Sequence, residues 1–388
     1  MTSIAHDQTL KHSAPTGAPQ PRMWLLVGDK VGDNAQLEAI VEALGWTCER
    51  KHLRFHPRYG KRRPIYRATL SHVDLEGSDT IAPPWPDLVL TVGRRPSMAA
   101  LWVQQQSGGR TKLVIVGRPH RMLHRFDLII TSTLFHLPDH SNVLKLSLPL
   151  MRYNAGQIAT AAEEWKEHFA DLKRPLTAVL IGGPENPFRF GTGATKRLLE
   201  QACNLPGENG SLVIVTSRRT PPKIVEALST SLPPYARLCR WTSDQSFNPY
   251  AALLGLADRF IVTGDSISMM VEVARLRKPL AIVPLPLRRA PWIWLEQVMA
   301  RRFRSAEVGG SHFWRWLKAF LHGKGIAPFA RDIPGFHSML FQCGLAVPLG
   351  QPFLLQAGCP PDGLALAASR IRMLFGLELP AGLEPSEP

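Results

Sequence analysis

An α/β protein of two domains, each built on a parallel sheet, is the fold class these 388 residues predict. Three observations carry it. The chain is longer than one hydrophobic core serves, since single cores stop growing at about 250–300 residues. Short apolar, β-branched runs recur between helical patterns, which reads as strands covered on both faces. Gly, Ser and Asn follow several of these runs, where open α/β sheets bind ligands just past their strand ends.

Taken in order, the first 21 residues are rich in Pro, Ser, Thr and His and read as a disordered tail. They have neither the apolar stretch of a signal peptide nor the arginine bias of a transit peptide. The runs MWLLVG from Met23, DLVLTV from Asp87, KLVIV from Lys112 and DLIIT from Asp127 predict strands of a Rossmann-like domain over 22–152. Ile158, Ala162, Trp165 and Phe169 fall at helical spacing and predict a linker helix over 153–173, closed by the break at Lys173, Arg174 and Pro175. LTAVLI, SLVIV, ARLCR, DRFIV and PLAIV then predict a second Rossmann-like domain over 174–350 that faces the first. Beyond Gly309 the pattern is less regular, until DGLALAASRIRMLFG predicts a helix over 362–376 that packs back on the first domain and completes it.

Charge narrows the partners. Lys and Arg number 46 against 31 Asp and Glu, a net +15, which suits phosphates, nucleic acid or an anionic membrane surface. No recognisable nucleic-acid module is present, so nucleic acid is not expected. Arg50 to Arg67 holds eight Lys and Arg and no acid, interleaved with His52, Phe55, His56, Tyr59 and Tyr66. Such a stretch suits anionic lipid headgroups, and it suits a solvated basic loop equally well. PWIWLEQVMARRFR from Pro291 and HFWRWLKAFLHGK from His312 join aromatic to basic residues on helical patterns, as interfacial helices do, although core packing would use the same aromatics. No window approaches the roughly 18 apolar residues of a membrane-spanning helix. Cys48, Cys203, Cys239, Cys343 and Cys359 are scattered without a CxxC pair, which predicts reduced thiols, no disulfide, no structural zinc and a cytosol-like compartment.

The most informative run is VTGDSISMMVEVA, Val262 to Ala274. Gly264 and Asp265 leave a strand and Ser266 caps the next helix, so N–H groups and helix dipole form a pyrophosphate site. Glu272, in the second turn, is placed to accept hydrogen bonds from ribose hydroxyls. A capped turn with a solvated Glu uses the same residues. Gly182 and Gly183 follow another strand and allow close approach to an anion, with Gly191 and Gly193 in the same loop; it lacks a Walker ending. Ser217, Arg218 and Arg219, after a third strand, add phosphate donors. WTSDQSFNPY, Trp241 to Tyr250, suits a base-binding loop or ordinary packing. His120 and His124 have i, i+4 spacing but no adjacent acid, so no metal site is expected.

The runs GDKVGDNAQ, VGRRPS, IGGP, TSRRTP, NPY and VTGDSISMMVE, in this order across nearly the whole chain, closely resemble the mitochondrial-fission family called Elongated Mitochondria in plants, with its many bacterial members. That family in turn is similar to the GT-B architecture of nucleotide-sugar glycosyltransferases, such as the one that adds N-acetylglucosamine to lipid I. The resemblance implies that the second domain binds the nucleotide, with Ser266, Ser268 and Glu272 matching the strand-Ser-helix-Glu run. It further implies that Asp29, Lys30, Asp33, Asn34 and Gln36 line the acceptor side, with Asp29 as catalytic base and His120 as second choice. Gly93, Arg94 and Arg95 would hold acceptor or donor phosphate. Turn and N-cap chemistry is the other reading of Asp29 and Asp33. GT-B enzymes generally need no metal, the departing diphosphate being stabilised by helix dipole and basic groups.

The expected function is therefore transfer of a sugar from a nucleotide-sugar donor to an envelope glycolipid or saccharide acceptor, without a cofactor. The expected partners are the nucleotide sugar and an anionic membrane surface or lipid-linked acceptor, with peripheral attachment to the inner membrane left open. Two alternatives stand beside it: a non-catalytic membrane-associated adaptor, since the plant member is linked to recruiting a dynamin-like protein to mitochondria, and a nucleotide-sugar epimerase.

Overall fold

The structure is a computed structural model that describes residues 20–61, 65–119, 121–151, 154–203, 210–230, 232–242, 248–307, 311–324, 331–354 and 362–377. Of the expected tail, residues 1–19 lie outside the described residues. The chain divides into two compact units: Met1–Arg152, Ser305–Ala330 and Asp362–Pro388 form the first, Tyr153–Arg304 and Arg331–Pro361 the second.

In chain order the elements are β1 (Met23–Val27), α1 (Val31–Leu44), β2 (Cys48–His52), β3 (Arg54–Phe55), α2 (Arg58–Lys61), β4 (Val73–Asp74), β5 (Leu88–Val92), α3 (Arg94–Gln106), β6 (Lys112–Val116), β7 (Leu128–Ser132) and β8 (Val143–Leu146). There follow α4 (Ala155–Trp165), β9 (Leu176–Ile181), α5 (Thr192–Cys203), β10 (Ser211–Thr216), α6 (Pro222–Thr230), β11 (Ala236–Cys239), α7 (Tyr250–Leu256), β12 (Arg259–Thr263), α8 (Ile267–Arg275) and β13 (Leu280–Val283). The last are α9 (Pro291–Glu307), α10 (His312–Gly323), α11 (Ile333–Gln342), β14 (Val347–Pro348) and α12 (Gly363–Met373).

The first unit carries a six-stranded parallel sheet in the order β2-β1-β5-β6-β7-β8. All five residues of β1 are buried because helices cover both faces. Met23, Leu25 and Val27 join Leu37 and Ile40 of α1 and Ala367 and Ile371 of α12. Trp24 and Leu26 join Met98, Leu101 and Val103 of α3 on the other face. This two-sided cover makes the strand an unbroken apolar run. Arg372 of α12 donates to the carbonyls of Ala43 and Leu44, closing the C-terminal end of α1.

The second unit carries six parallel strands in the order β11-β10-β9-β12-β13-β14. The segment expected as a linker helix belongs to this unit: α4 packs on α7 so closely that a Cβ on Gly255 would lie 2.8 Å from that of Ala162. Residues 305–330, expected within the second domain, belong to the first unit, where α10 is held by Asp139, Pro119 and Arg121.

Three sheet strands escape the apolar pattern for one reason. β2 reads CERKH and β8 reads VLKL, both at sheet edges where polar residues meet solvent, and β14 is a two-residue edge. Strand order also fixes where ligands can go. Each sheet reverses direction once, at β1/β5 in the first and β9/β12 in the second, and the crevice outside the strand carboxyl ends at such a reversal is the ligand site of open α/β sheets.

Candidate functional site

Both reversals carry the polar residues singled out above. In the first unit Gly28, Asp29, Lys30, Asp33 and Asn34 from the end of β1, and Gly93, Arg94 and Arg95 from the end of β5, line a cavity of about 290 Å³ with Phe55 and Tyr59. Gln36 is not among its lining residues, and His120 lies outside the described residues.

Asn34 shapes this turn. Its Nδ2 donates to the Gly28 carbonyl at 2.8 Å and its Oδ1 accepts the Gly28 N–H at 3.3 Å, so its amide serves the backbone. Gly93 has φ +82°, a conformation that disfavours any side chain, and leads straight into α3. Arg95 lies over the Phe55 ring at 4.4 Å and its guanidinium reaches Asp29 at 4.0 Å, which holds it across the cavity wall. Asp29 is 60% exposed at its side chain, free of burial and open to a hydroxyl. Lys30 pairs with Asp33 at 3.8 Å.

The basic stretch from Arg50 to Arg67 turns part of itself inward. Tyr66 is buried, its hydroxyl bonded to Ser97 at 2.9 Å, and Phe55 stacks on His72 at 5.6 Å. Burial pushes the Tyr66 phenol up to about 12, opposed by its Ser97 hydrogen bond and the Arg94 cation. Buried His72, whose Nε2 meets the Arg95 carbonyl at 2.8 Å, is pushed down by burial and backs the arginine turn. Tyr66 and His72 thus pack on α3, while Phe55 lines the cavity.

At the second reversal the structure corrects the expectations for the glycine loop and for the Ser266 cap. Gly182 and Gly183, expected to offer N–H groups to an external anion, donate within the protein: Gly182 to Thr263 Oγ1 at 2.8 Å and Gly183 to Asp265 Oδ2 at 2.7 Å. The anion that these glycines admit is the chain's own buried carboxylate. A Cβ on Gly182 would lie 1.9 Å from Ser266 Oγ, and one on Gly183 2.2 Å from the Arg219 carbonyl oxygen. Ser217 is likewise committed to its own turn, its N–H donating to Thr220 Oγ1 at 2.8 Å, while the Thr220 hydroxyl donates to the Gly182 carbonyl at 2.6 Å.

Asp265 is the hub. Its Oδ2 also accepts the Ser266 hydroxyl at 3.2 Å and lies 3.9 Å from Arg219, itself anchored on Glu185 at 2.9 Å. Burial pushes the Asp265 carboxyl up, opposed by its bonds from Thr263 and the Gly183 N–H and by the Arg219 cation. Ser266, turned to Asp265, does not cap α8, although it stands at that helix's N-cap. The first-turn N–H groups of α8 have no partner within the helix, and the positive end of its dipole lies at the sheet reversal. Ser268 is exposed on that turn, and Arg218 is exposed at the end of the neighbouring strand β10.

Glu272, one turn further, accepts the Tyr250 hydroxyl. Burial pushes both groups up, and the carboxylate pushes the phenol further. Within the expected base-binding loop, residues 243–247 lie outside the described residues. His337 of α11, which sequence reasoning did not single out, packs behind Gly264, where a Cβ would lie 2.9 Å from its ring, and stacks on Phe188 at 5.8 Å. Among the described residues no cluster of His, Cys, Asp or Glu could hold a metal ion, and no helix is long and apolar enough to cross a membrane.

The profile of the family described as Mitochondrial fission ELM1 matches residues 31–311. Mitochondrial fission protein ELM1 of Arabidopsis thaliana is 26% identical over 220 residues, 51% of this chain and 51% of that protein, so the chain spans about half the length of this relative. Uncharacterized protein RP120 of Rickettsia prowazekii (strain Madrid E) is 24% identical over 302 residues, 67% of this chain and 82% of its own length. Among solved structures, UDP-GlcNAc 2-epimerase from Methanocaldococcus jannaschii matches with TM-score 0.44 at 10% identity, covering 92% of this chain and 99% of its own. The ADP-heptose lps heptosyltransferase II of E. coli matches with TM-score 0.35 at 12% identity, covering 67% and 84%.

Proposed function

The chain belongs to the mitochondrial fission ELM1 family, and from that premise we propose that it is a metal-independent glycosyltransferase that moves a sugar from a nucleotide-sugar donor to an envelope glycolipid or saccharide acceptor. One observation carries the reading: α8 starts at the β9/β12 reversal with its N-cap serine turned away, leaving first-turn N–H groups and a dipole aimed where a diphosphate would sit. In this reading Ser268 and the α8 N-terminus hold the diphosphate, with Arg218 and Arg219 supplying positive charge as the bond to the sugar breaks. Asp265 and Ser266, with Gly182, Gly183, Ser217 and Gly264 around them, set the position of that helix end. Glu272, steadied by Tyr250, receives the ribose hydroxyls.

In the first unit, Asp29 takes the proton from the attacking acceptor hydroxyl, and Arg94, Arg95 and Lys30 hold acceptor charge at the cavity. Arg95, 4.0 Å from Asp29, holds that carboxylate at the cavity.

The test is a transfer assay with radiolabelled nucleotide sugars and membrane lipid extract. Wild type is expected to label a lipid or saccharide product, and Asp29→Asn to slow transfer by about 10²–10⁴-fold, the contribution typical of a positioned base, with donor affinity unchanged. Isomerised donor without acceptor would instead support epimerisation. No transfer and no isomerisation by a folded, nucleotide-binding protein would point to an adaptor.

A further inference from the structure

Helix α10 exposes three rings while burying two polar side chains: Lys318 and His322 are 4% and 6% exposed, with Trp314, Leu317 and Leu321 half-buried beside them, whereas Phe313, Trp316 and Phe320 are 56%, 58% and 45% exposed. The i, i+3, i+7 spacing puts these three rings on one helix face, where they form a continuous strip: Phe313 to Trp316 at 6.2 Å and Trp316 to Phe320, stacked, at 5.4 Å.

Beside the half-buried Trp314, Leu317 and Leu321, the inner face makes polar contacts within the first unit. Lys318 Nζ lies 3.9 Å from Asp139, Arg315 reaches the same carboxylate at 3.0 Å, and His322 Nε2 meets the Pro119 carbonyl at 3.3 Å. Burying Lys and His while exposing three aromatic rings is unfavourable for a helix whose outer face meets only water. Water alone therefore does not account for the orientation.

Charge decides among partners. α10 has no acidic residue between His312 and Lys324; Arg315 and Lys318 are taken up by Asp139, which leaves Lys324, at the C-cap, as the cation beside the strip. The Lys324 ammonium lies 5.7 Å over the Phe320 ring, and Arg121 donates to the Lys324 carbonyl, so two cations stand at one end of the strip. A second copy of the same surface would set these cations against their own kind. Trp and Phe rimmed by Lys and Arg, on a chain of net +15, match the headgroup layer of an anionic bilayer, where aromatic rings settle and basic residues meet phosphate.

We propose that the outer face of α10 docks the protein on an anionic phospholipid bilayer, with Phe313, Trp316 and Phe320 seated in the interface and Lys324 and Arg121 on lipid phosphate. This attachment does not depend on sugar transfer, and vesicle binding reads it without any donor.

The full chain is sedimented with phosphatidylcholine vesicles with or without phosphatidylglycerol. Wild type is expected to bind the anionic vesicles and to be released by salt, with Trp316→Ser/Phe320→Ser reducing the partition roughly tenfold or more, as loss of two interfacial aromatics implies. Arg121→Glu/Lys324→Glu should weaken binding to the anionic vesicles, while Leu75→Ser, which removes an exposed apolar residue elsewhere in the unit, should leave it unchanged. Circular dichroism and thermal unfolding confirm that each variant is folded. Binding undiminished in the folded aromatic variant would overturn the proposal. So would a wild-type dimer, by light scattering, that the same variant dissolves without changing vesicle binding.

Discussion

Asp265→Ala is expected to destabilise the second unit by roughly 2–4 kcal/mol in urea unfolding, the scale of removing a buried acceptor and leaving its donors without a partner. The Gly183 N–H, 2.7 Å from Oδ2, and the Ser266 hydroxyl at 3.2 Å both lose their acceptor, and Arg219 loses an anion 3.9 Å away. Asp265→Asn keeps one oxygen for Gly183 and is expected to lose less. If the alanine variant unfolds at the wild-type urea concentration, the carboxylate does not hold the two loops together.

The second large effect is acid sensitivity from His337. Burial pushes this imidazole down from 6.5 to about 4, opposed by the Gly264 backbone and the Asp332 charge. The folded state therefore binds its proton later than the unfolded state as pH falls. Its contribution to stability is full above pH 6.5 and is lost as pH falls towards about 4, a change of about 3 kcal/mol at one pKa unit per 1.36 kcal/mol. Asp265 and Glu272, both pushed up by burial, act in the opposite sense near the carboxylate range, so the informative quantity is the difference between wild type and His337→Gln. Across that window wild type should lose stability more steeply than His337→Gln in urea titrations. Equal pH slopes would contradict the assignment.

Most of the sheet was legible because its central strands are buried on both faces: MWLLV, LVLTV, LTAVLI and RFIVT each lack a single exposed residue. Where that cover ends, so does the signal, and CERKH of β2 shows no apolar run though it pairs with β1 along five residues. The candidate site is marked in the sequence at the ends of β1, β5, β9, β10 and β12, where Gly, Asp, Ser and Arg interrupt apolar runs. What the residue pattern cannot show is direction. Gly183 reads equally as an anion cradle for a ligand or for Asp265, 82 residues away, and only the fold brings the two together. His337 was missed for the same reason: it reaches Gly264 from α11 across 73 residues of sequence, with no local pattern to mark it. Tyr66 and Phe55, part of a basic stretch that suits lipid headgroups or a solvated loop, turn inward because Ser97 and Arg95 on α3 give their polar and aromatic surfaces partners.

Calorimetric titration with UDP, CMP, GDP and ADP asks whether a nucleoside diphosphate binds at the β9/β12 reversal. Selective binding of a nucleoside diphosphate is expected, weakened by about 1 kcal/mol or more in Glu272→Ala, the scale of lost hydrogen bonds to ribose. Absence of binding by all four nucleotides, or binding that the folded Glu272→Ala variant leaves unchanged, would contradict it.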